Sequence, residues 1–368
     1  MNICDINDIK ALLARHGFRF SKSMGQNFLI EEWVPYDIAH ASGARPGTGV
    51  MEVGPGIGPL TRELSACADR VVYVELDRSL LPILAETLAD RDNVEIVSGD
   101  ILKTNIPQLI AEKFHGLTAL ACANLPYNIT TPAIPALLEA NCFEQITVMI
   151  QKEVAQRICA APGTSDYGAF SVYCQYHAKC ELLFDVPNTC FIPAPKVTSA
   201  VLRLTPCPAP DVVDDPDHFF KVVKAAFSQR RKTLVNGLST TFGAQFSKQQ
   251  LQEIILSCGL PADIRGERLG IPEFAALSKA LRALQQPTED AAYKKGVEMT
   301  MTELEKIFTA LGVEIFGQVG DEFNPELHNA IMHNEDETLG ENTVSMVFQK
   351  GAKIGDKVVR FAMVQVAN

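Results

Sequence analysis

The 368-residue sequence has no run of 18 apolar residues, so no segment reads as a membrane-spanning helix. Its first residues, MNICDINDIK, mix charge among the apolar positions and lack the apolar stretch of a secretory leader; export is not expected and a cytoplasmic location is. The ten cysteines form no CxxC pair and no ladder of paired spacings. Cys4, Cys67, Cys122, Cys258 and the others therefore read as reduced core thiols. No Cys or His cluster has ligand spacing, and no metal is expected. Basic charge is also short. With 33 Lys and Arg against 44 Asp and Glu, the net charge is −11, which argues against a protein that coats nucleic acid nonspecifically. Internal repeats and low-complexity tracts are lacking too, and with 47% apolar residues the chain is not disordered.

What is present divides at Pro287. Residues 287–368 carry 7 basic and 14 acidic side chains, and all ten cysteines lie before them. The join, Gln285-Gln286-Pro287-Thr288-Glu289-Asp290, is polar with a helix-breaking proline, as suits a linker. Before it, two patterns follow one another. A short amphipathic helix (Ile9, Leu12, Leu13) and the loop SKSMGQNFLI come first, made locally basic by Lys10, Arg15, Arg19 and Lys22. From Thr48 onward apolar strands alternate with helices: VMEV, VVYVEL, VEIVSGD, LTALACANLPY and QITVMI. That alternation predicts a parallel, doubly wound α/β sheet with helices on both faces. From about Pro208 the pattern is helical only: HFFKVVKAAFSQRRKTLVNGL, SKQQLQEIILSCGL and IPEFAALSKALRAL. The expected domains are a catalytic sheet domain over 1–206, a small all-helical domain over 207–286, and a module of one helix (EMTMTELEKIFTALG) plus β hairpins over 287–368.

Ligands of such sheets bind at the carboxyl ends of the strands, and there the sequence places its unusual residues. Gly54, Gly56 and Gly58 follow the first strand and open a helix, a setting in which backbone turns tightly and a ligand lies against it. Glu75 closes the second strand, where a carboxylate accepts both hydroxyls of a ribose. Asp100 closes the third, placed to accept from an adenine amine. An adenosine-containing cofactor is expected. The dinucleotide fingerprint GxGxxG is not met, since the glycines run GxGxG and are followed by Pro59. The spacing suits S-adenosylmethionine, which has no phosphate, better than NAD.

The fourth strand ends in Asn124-Leu125-Pro126-Tyr127. An exocyclic adenine amine is a poor nucleophile because its lone pair is delocalised into the ring. Two neutral acceptors, an Asn side-chain carbonyl and a main-chain carbonyl held by the following proline, draw that pair out of conjugation. No strong base is needed, because the charged amine loses its proton after transfer. The ring of Tyr127 suits stacking on a base swung out of its helix.

SKSMGQNFLI, MEVGPGIGPLT, VELD, SGDIL, NLPYNIT, FIPAPKVTSAVLRL, RRKTLVNGL and RGERLGIPEF occur in this order, over about residues 7–284. The set resembles the KsgA-type ribosomal RNA small-subunit adenine dimethyltransferases. The resemblance implies S-adenosylmethionine as cofactor and, as substrate, two adjacent adenosines near the 3′ end of small-subunit (16S) rRNA, methylated late in ribosome assembly. It assigns Asn27, Leu29, Gly54, Glu75, Asp100 and Asn124 to the cofactor and Asn124, Pro126 and Tyr127 to the target amine. Phe191 becomes the second stacking surface for the adenine. The related macrolide-resistance methyltransferases of the large subunit share the cofactor site and a similar Asn-x-Pro-Tyr motif. NLPYNIT and RGERLGIPEF favour the small-subunit type.

Along the helix from His218, Lys221, Lys224, Ser228 and Arg231 recur at helical spacing, with Arg230 and Lys232 beside them. Beside a base-methylating site this stripe is a candidate phosphate ridge for rRNA. Beyond Pro287, YKKGVEMTMTELEKIFTALGVE, FNPELHNAIMH, GENTVSMVFQKG and RFAMVQVA resemble the C-terminal part of GrpE, the nucleotide-exchange factor of the DnaK-type chaperone. A DnaK-type partner follows from that resemblance, as does the different reading of a chaperone cofactor whose first part recruits RNA or ribosomes. The tail lacks the long N-terminal helices through which that family dimerises, and Ala352 replaces the usual aromatic after Lys-Gly. His328 and His333, five apart, read as surface or hairpin residues and not as metal ligands.

Overall fold

A computed structural model describes residues 2–21, 24–285, 312–334, 339–355 and 357–368. The helix expected at EMTMTELEKIFTAL, the linker 286–290 and Lys22 lie outside the described residues. The chain forms two compact units, Met1–Gln285 and Gln286–Asn368.

The first unit opens with α1 (Ile6–Arg15), β1 (Phe28–Leu29), α2 (Trp33–Ala41), β2 (Thr48–Val53), α3 (Pro59–Cys67), β3 (Arg70–Glu75) and α4 (Leu81–Thr87). It continues through β4 (Val94–Ser98), α5 (Ile106–Phe114), β5 (Thr118–Asn124), α6 (Thr130–Glu139), β6 (Gln145–Gln151), α7 (Lys152–Cys159) and α8 (Ala169–His177). Then come β7 (Ala178–Val186), β8 (Phe191–Ile192), β9 (Ser199–Pro206), α9 (Pro216–Phe227), α10 (Leu234–Phe242), α11 (Lys248–Ser257) and α12 (Ile271–Gln285).

Seven strands make one sheet in the order β4-β3-β2-β5-β6-β9-β7. All six residues of β2 are buried, as an inner strand covered on both faces requires. One face packs Phe114 of α5, Ile134 and Leu137 of α6 and Ile158 of α7. The other packs Val34 and Ile38 of α2 and Leu60 and Leu64 of α3. Gly49 is glycine for a visible reason: a Cβ there would stand 2.7 Å from the Phe114 ring. The chain runs outward from β2 to β4 and then returns to β5 beside β2. The carboxyl ends of β2 and β5 therefore flank the point where strand order reverses, where such sheets leave a crevice.

The sheet is mixed rather than wholly parallel. The first five strands in the order are parallel, but β9 pairs antiparallel with β6 and with β7. The segment that returns from β7 to β9 runs through Pro187, Pro193 and Pro195, and carries a 3-10 turn at Asn188–Cys190 but no α-helix to cross over the sheet. A connection without a crossover helix suits antiparallel pairing, which the two strands adopt.

The helical region shares a core with the sheet region. Tyr167, Val172 and Tyr176, from α8 and the loop before it, pack with Phe219, Leu238, Ile255 and Phe274. The long helix expected from His218 is broken. α9 ends at Phe227 and α10 starts at Leu234, because the two cross closely: a Cβ on Gly237 would lie 2.7 Å from the Ala225 carbonyl oxygen. α11 starts with a capping box in which Ser247 and Gln250 satisfy each other's backbone N–H.

The second unit, described by itself, contains β10 (Val313–Phe316), β11 (His328–Asn334), β12 (Thr343–Gln349), β13 (Gly351–Ile354), β14 (Lys357–Arg360) and β15 (Ala362–Ala367). They form two three-stranded sheets, β10-β13-β14 and β11-β15-β12, around Val344, Ala362, Val364 and Val366. His328 is buried against this core, and its Nδ1 accepts the Asn324 N–H at 3.1 Å, so it is no surface residue.

Candidate active site

One cleft gathers most of the residues singled out in the sequence. It is lined by Asn27, Leu29, Gly54, Gly56, Glu75, Asp100, Asn124, Pro126, Tyr127 and Phe191, and its empty space is about 1110 Å³ including the open mouth. Its floor is the switch point between β2 and β5.

Gly54 and Gly56 have φ of +67° and +62°, a region that L side chains avoid. A Cβ on Gly56 would meet the Phe28 ring at 3.3 Å, so this turn is open backbone facing the cleft. Gly58 does not line it. It precedes α3 at φ +95°, where a side chain would press on Leu88 and Thr87 at 3.3 Å. Its glycine is explained by the helix start rather than by a ligand.

Glu75 is 6% exposed, and its carboxylate accepts the backbone N–H of Asp77 at 2.7 Å. Burial pushes its carboxyl up to about 7. The sequence reading missed Glu52, which stands inside the apolar strand of MEVGPG and is 1% exposed on the cleft wall. Burial pushes it up to about 8, against the lowering effect of the 2.6 Å hydrogen bond donated by Thr61. A polar residue in an otherwise apolar strand was the available signal. Two buried carboxyls, each reluctant to ionise, suit a cationic ligand, whose charge would favour their ionised forms. Asp100 is half-buried. Its Oδ1 accepts the Leu102 N–H at 3.0 Å, and Lys103 stands 3.9 Å from Oδ2. Together the open glycine turn and the buried acids Glu52 and Glu75 fit S-adenosylmethionine.

On the other side of the cleft, Asn124 is half-buried at the end of β5. Among the described residues nothing hydrogen-bonds its side-chain amide, so its carbonyl is available to a ligand. Tyr127 is pinned: its hydroxyl shares a 2.7 Å hydrogen bond with Ser199 Oγ of β9, and burial raises its phenol above the ordinary value. Phe191 is 3% exposed and belongs to the apolar core as well as the cleft wall. Its place is set by the pairing of β8 with β1, Leu29 opposite Phe191.

The five basic residues behave differently from one another. Lys221 and Lys224 are exposed on α9, with Lys221 Nζ 5.1 Å from the centre of the Phe242 ring. Arg230, Arg231 and Lys232 lie in the turn after α9 and do not continue its stripe. Arg230 is occupied, donating to the carbonyls of Ser165 (2.6 Å) and Tyr167 (2.9 Å). Among the described residues no helix is long and apolar enough to cross a membrane.

The chain is similar to proteins of known kind. The family model described as ribosomal RNA adenine dimethylase matches residues 17–259, and that of GrpE matches 271–368. The ribosomal RNA small subunit methyltransferase A of Alkaliphilus metalliredigens is 46% identical over 278 residues, 75% of this chain and 96% of that protein. Its counterpart in Geobacillus kaustophilus is 46% identical over 279 residues, 75% and 95% respectively. Among solved structures, a dimethyladenosine transferase from Plasmodium falciparum has the same fold at TM-score 0.58 and 23% identity, covering 70% of this chain and 98% of that one. The 23S rRNA methyltransferase ErmE matches at TM-score 0.53 and 25% identity, covering 69% and 99%. With a family model spanning most of the chain and relatives near half identical along almost their whole length, this chain belongs to the ribosomal RNA adenine dimethylases, S-adenosylmethionine-dependent enzymes of Rossmann-like fold.

Proposed function

We propose that this protein transfers methyl groups to the exocyclic amines of two adjacent adenosines near the 3′ end of small-subunit rRNA, in the cytoplasm, during ribosome biogenesis. The observation that carries the reading is the placement of Asn124, Pro126, Tyr127 and Phe191 across one cleft from Gly54, Glu75 and Asp100. S-adenosylmethionine, when bound, supplies an electrophilic methyl group. Glu75 accepts the ribose hydroxyls, Asp100 the cofactor's adenine amine, and the open turn at Gly54 and Gly56 leaves room for the rest; Asn27 and Leu29 close that side. The Asn124 side-chain carbonyl and the Leu125 main-chain carbonyl each accept one N–H of the target amine, which localises its lone pair toward the methyl donor. Tyr127, anchored by Ser199, and Phe191, anchored by β1, hold the extruded base between two rings. The alignment that these residues would impose on the amine and the methyl donor supplies most of the rate enhancement. Lys221, Lys224, Arg231 and Lys232 contact rRNA phosphates, which shape recognition of structured RNA requires.

The test is methyl transfer from labelled S-adenosylmethionine to small ribosomal subunits that lack the modification. Dimethyladenosine with a primer-extension stop near the small-subunit 3′ end is the expected result. A stop in large-subunit rRNA only would instead assign the macrolide-resistance type of activity, and no label would overturn the enzyme reading.

For the second unit we infer a DnaK-type chaperone as partner. The GrpE match supports this, as do Met332 of β11, Val359 of β14 and Phe361 between β14 and β15, which remain 53%, 61% and 49% exposed. Faster release of labelled nucleotide from a DnaK-type protein on adding the full chain is expected. An unchanged rate would leave the unit without this role.

A further inference from the structure

Residues Gly25–Leu29 touch three parts of the cleft. Leu29 pairs with Phe191. Gly25, at φ +64°, lies against the NLPYN turn: a Cβ there would stand 3.2 Å from Asn128 Oδ1 and 3.6 Å from Pro126 Cβ. Between them Gln26 reaches to the strand end that carries the ribose carboxylate. Its Nε2 donates to Asp77 Oδ2 at 2.7 Å, and its Oε1 accepts the Ser21 N–H at 3.1 Å. Asp77 in turn donates its own N–H to Glu75 Oε1 at 2.7 Å, while its Oδ1 accepts the N–H and hydroxyl of Ser79 at 2.9 and 2.6 Å. Burial works to raise the Asp77 carboxyl, but the hydrogen bonds from Ser79 and Gln26 outweigh it and hold the group below its ordinary range. Asp77 is thus an ionised acceptor, and the two partners fix the Gln26 amide in one orientation.

We propose that Gln26 is a positioning residue that joins the two halves of the site. Through Asp77 it ties the segment packed on the target-base turn to the backbone that seats Glu75. Cofactor at Glu75 and adenine at Asn124 then favour the same arrangement of this segment, and each ligand tightens the binding of the other. Glu75 and Asn124 do not touch; the path runs Glu75, Asp77, Gln26, Gly25, Pro126. The proposal rests on the methyltransferase reading of the cleft.

The test measures binding of small ribosomal subunits lacking the modification, to the full chain, with and without saturating S-adenosylhomocysteine, the demethylated product. In the unsubstituted chain the product tightens binding about fivefold or more, the scale of a coupling carried by a shared element. Gln26→Ala, Gln26→Glu and Asp77→Asn each bring that factor toward one, Gln26→Glu by setting two carboxylates against each other. The double variant Gln26→Glu/Asp77→Asn restores it. An amide N–H at position 77 then donates to a carboxylate at position 26, which still accepts the Ser21 N–H. A merely structural role predicts additive losses in the double variant; rescue separates the two. Full coupling in Gln26→Ala, no coupling in the unsubstituted chain, or no rescue would each overturn the proposal. Methyl transfer by the unsubstituted chain is run alongside. Its absence sinks the reading of the site, whereas transfer without coupling sinks only the role of Gln26.

Discussion

Glu52 is buried to 1% exposure, and Thr61 is the one described side chain that hydrogen-bonds its carboxylate. In the unfolded chain a glutamate gives up its proton near 4.5; in the folded chain burial delays this to about 8. Between those values the folded state holds one more proton at this position than the unfolded state. Its stability must therefore fall as pH rises, by about 1.4 kcal/mol per pH unit for this one group. Glu75, pushed up to about 7, adds a slope of the same sign below that pH, but it does so in any variant that retains it. Glu52→Gln keeps the shape and the Thr61 hydrogen bond while removing the titration. The difference in unfolding free energy between variant and unsubstituted chain should then grow in the variant's favour by about 3 kcal/mol from pH 5.5 to 7.5. Urea unfolding followed by tryptophan fluorescence reads this directly. The sequence has one tryptophan, Trp33, which lies in the first unit, so the second unit is silent. Parallel stability curves for the two proteins would refute the reasoning, since they would mean that Glu52 ionises in the folded chain as easily as in the unfolded one.

Four further outcomes are expected. Asn124→Ala should abolish methyl transfer while calorimetry still detects S-adenosylmethionine, since the proposed cofactor contacts of Glu75, Asp100 and the glycine turn do not involve it; near-normal turnover would remove Asn124 from the chemistry. Lys221→Ala with Lys224→Ala should weaken rRNA binding and lower its log–log salt slope by about one for each phosphate left without its lysine. Arg230→Ala should instead lower the urea midpoint with that slope unchanged, since its guanidinium holds the loop at Ser165 and Tyr167. Gly237→Ala places a methyl group 2.7 Å from the Ala225 carbonyl oxygen and should cost about 1–3 kcal/mol or more, read as a lower urea midpoint at unchanged m-value.

Much of the site was legible because its signals are local. Strands ending in Gly54, Glu75, Asp100 and Asn124 announce themselves by apolar runs that stop at residues unsuited to a core. Their convergence follows from the rule that parallel strands present their carboxyl ends together. Gly58 misled because a glycine in a GxGxG run looks the same whether it faces a ligand or starts a helix. The basic stripe misled for a related reason. Helical spacing was extended past Phe227, where the close approach of α9 and α10 at Gly237 ends the helix, and charge alone did not tell the exposed Lys221 from the engaged Arg230.

The class of fold and the kind of cofactor could be read from the amino-acid order alone, since periodicity, turn residues and short-range spacing carry these. It took the folded chain to show that Glu52 sits in the cleft wall with a reluctant proton, that Gln26 grips Asp77, that β7 and β9 turn the sheet antiparallel at its edge, and that Arg230 is spent on a loop. Each of these depends on which distant segment arrives beside a residue. Burial, desolvation and hydrogen-bond partners are properties of that neighbourhood, and 51 residues of chain separate Gln26 from the carboxylate it holds.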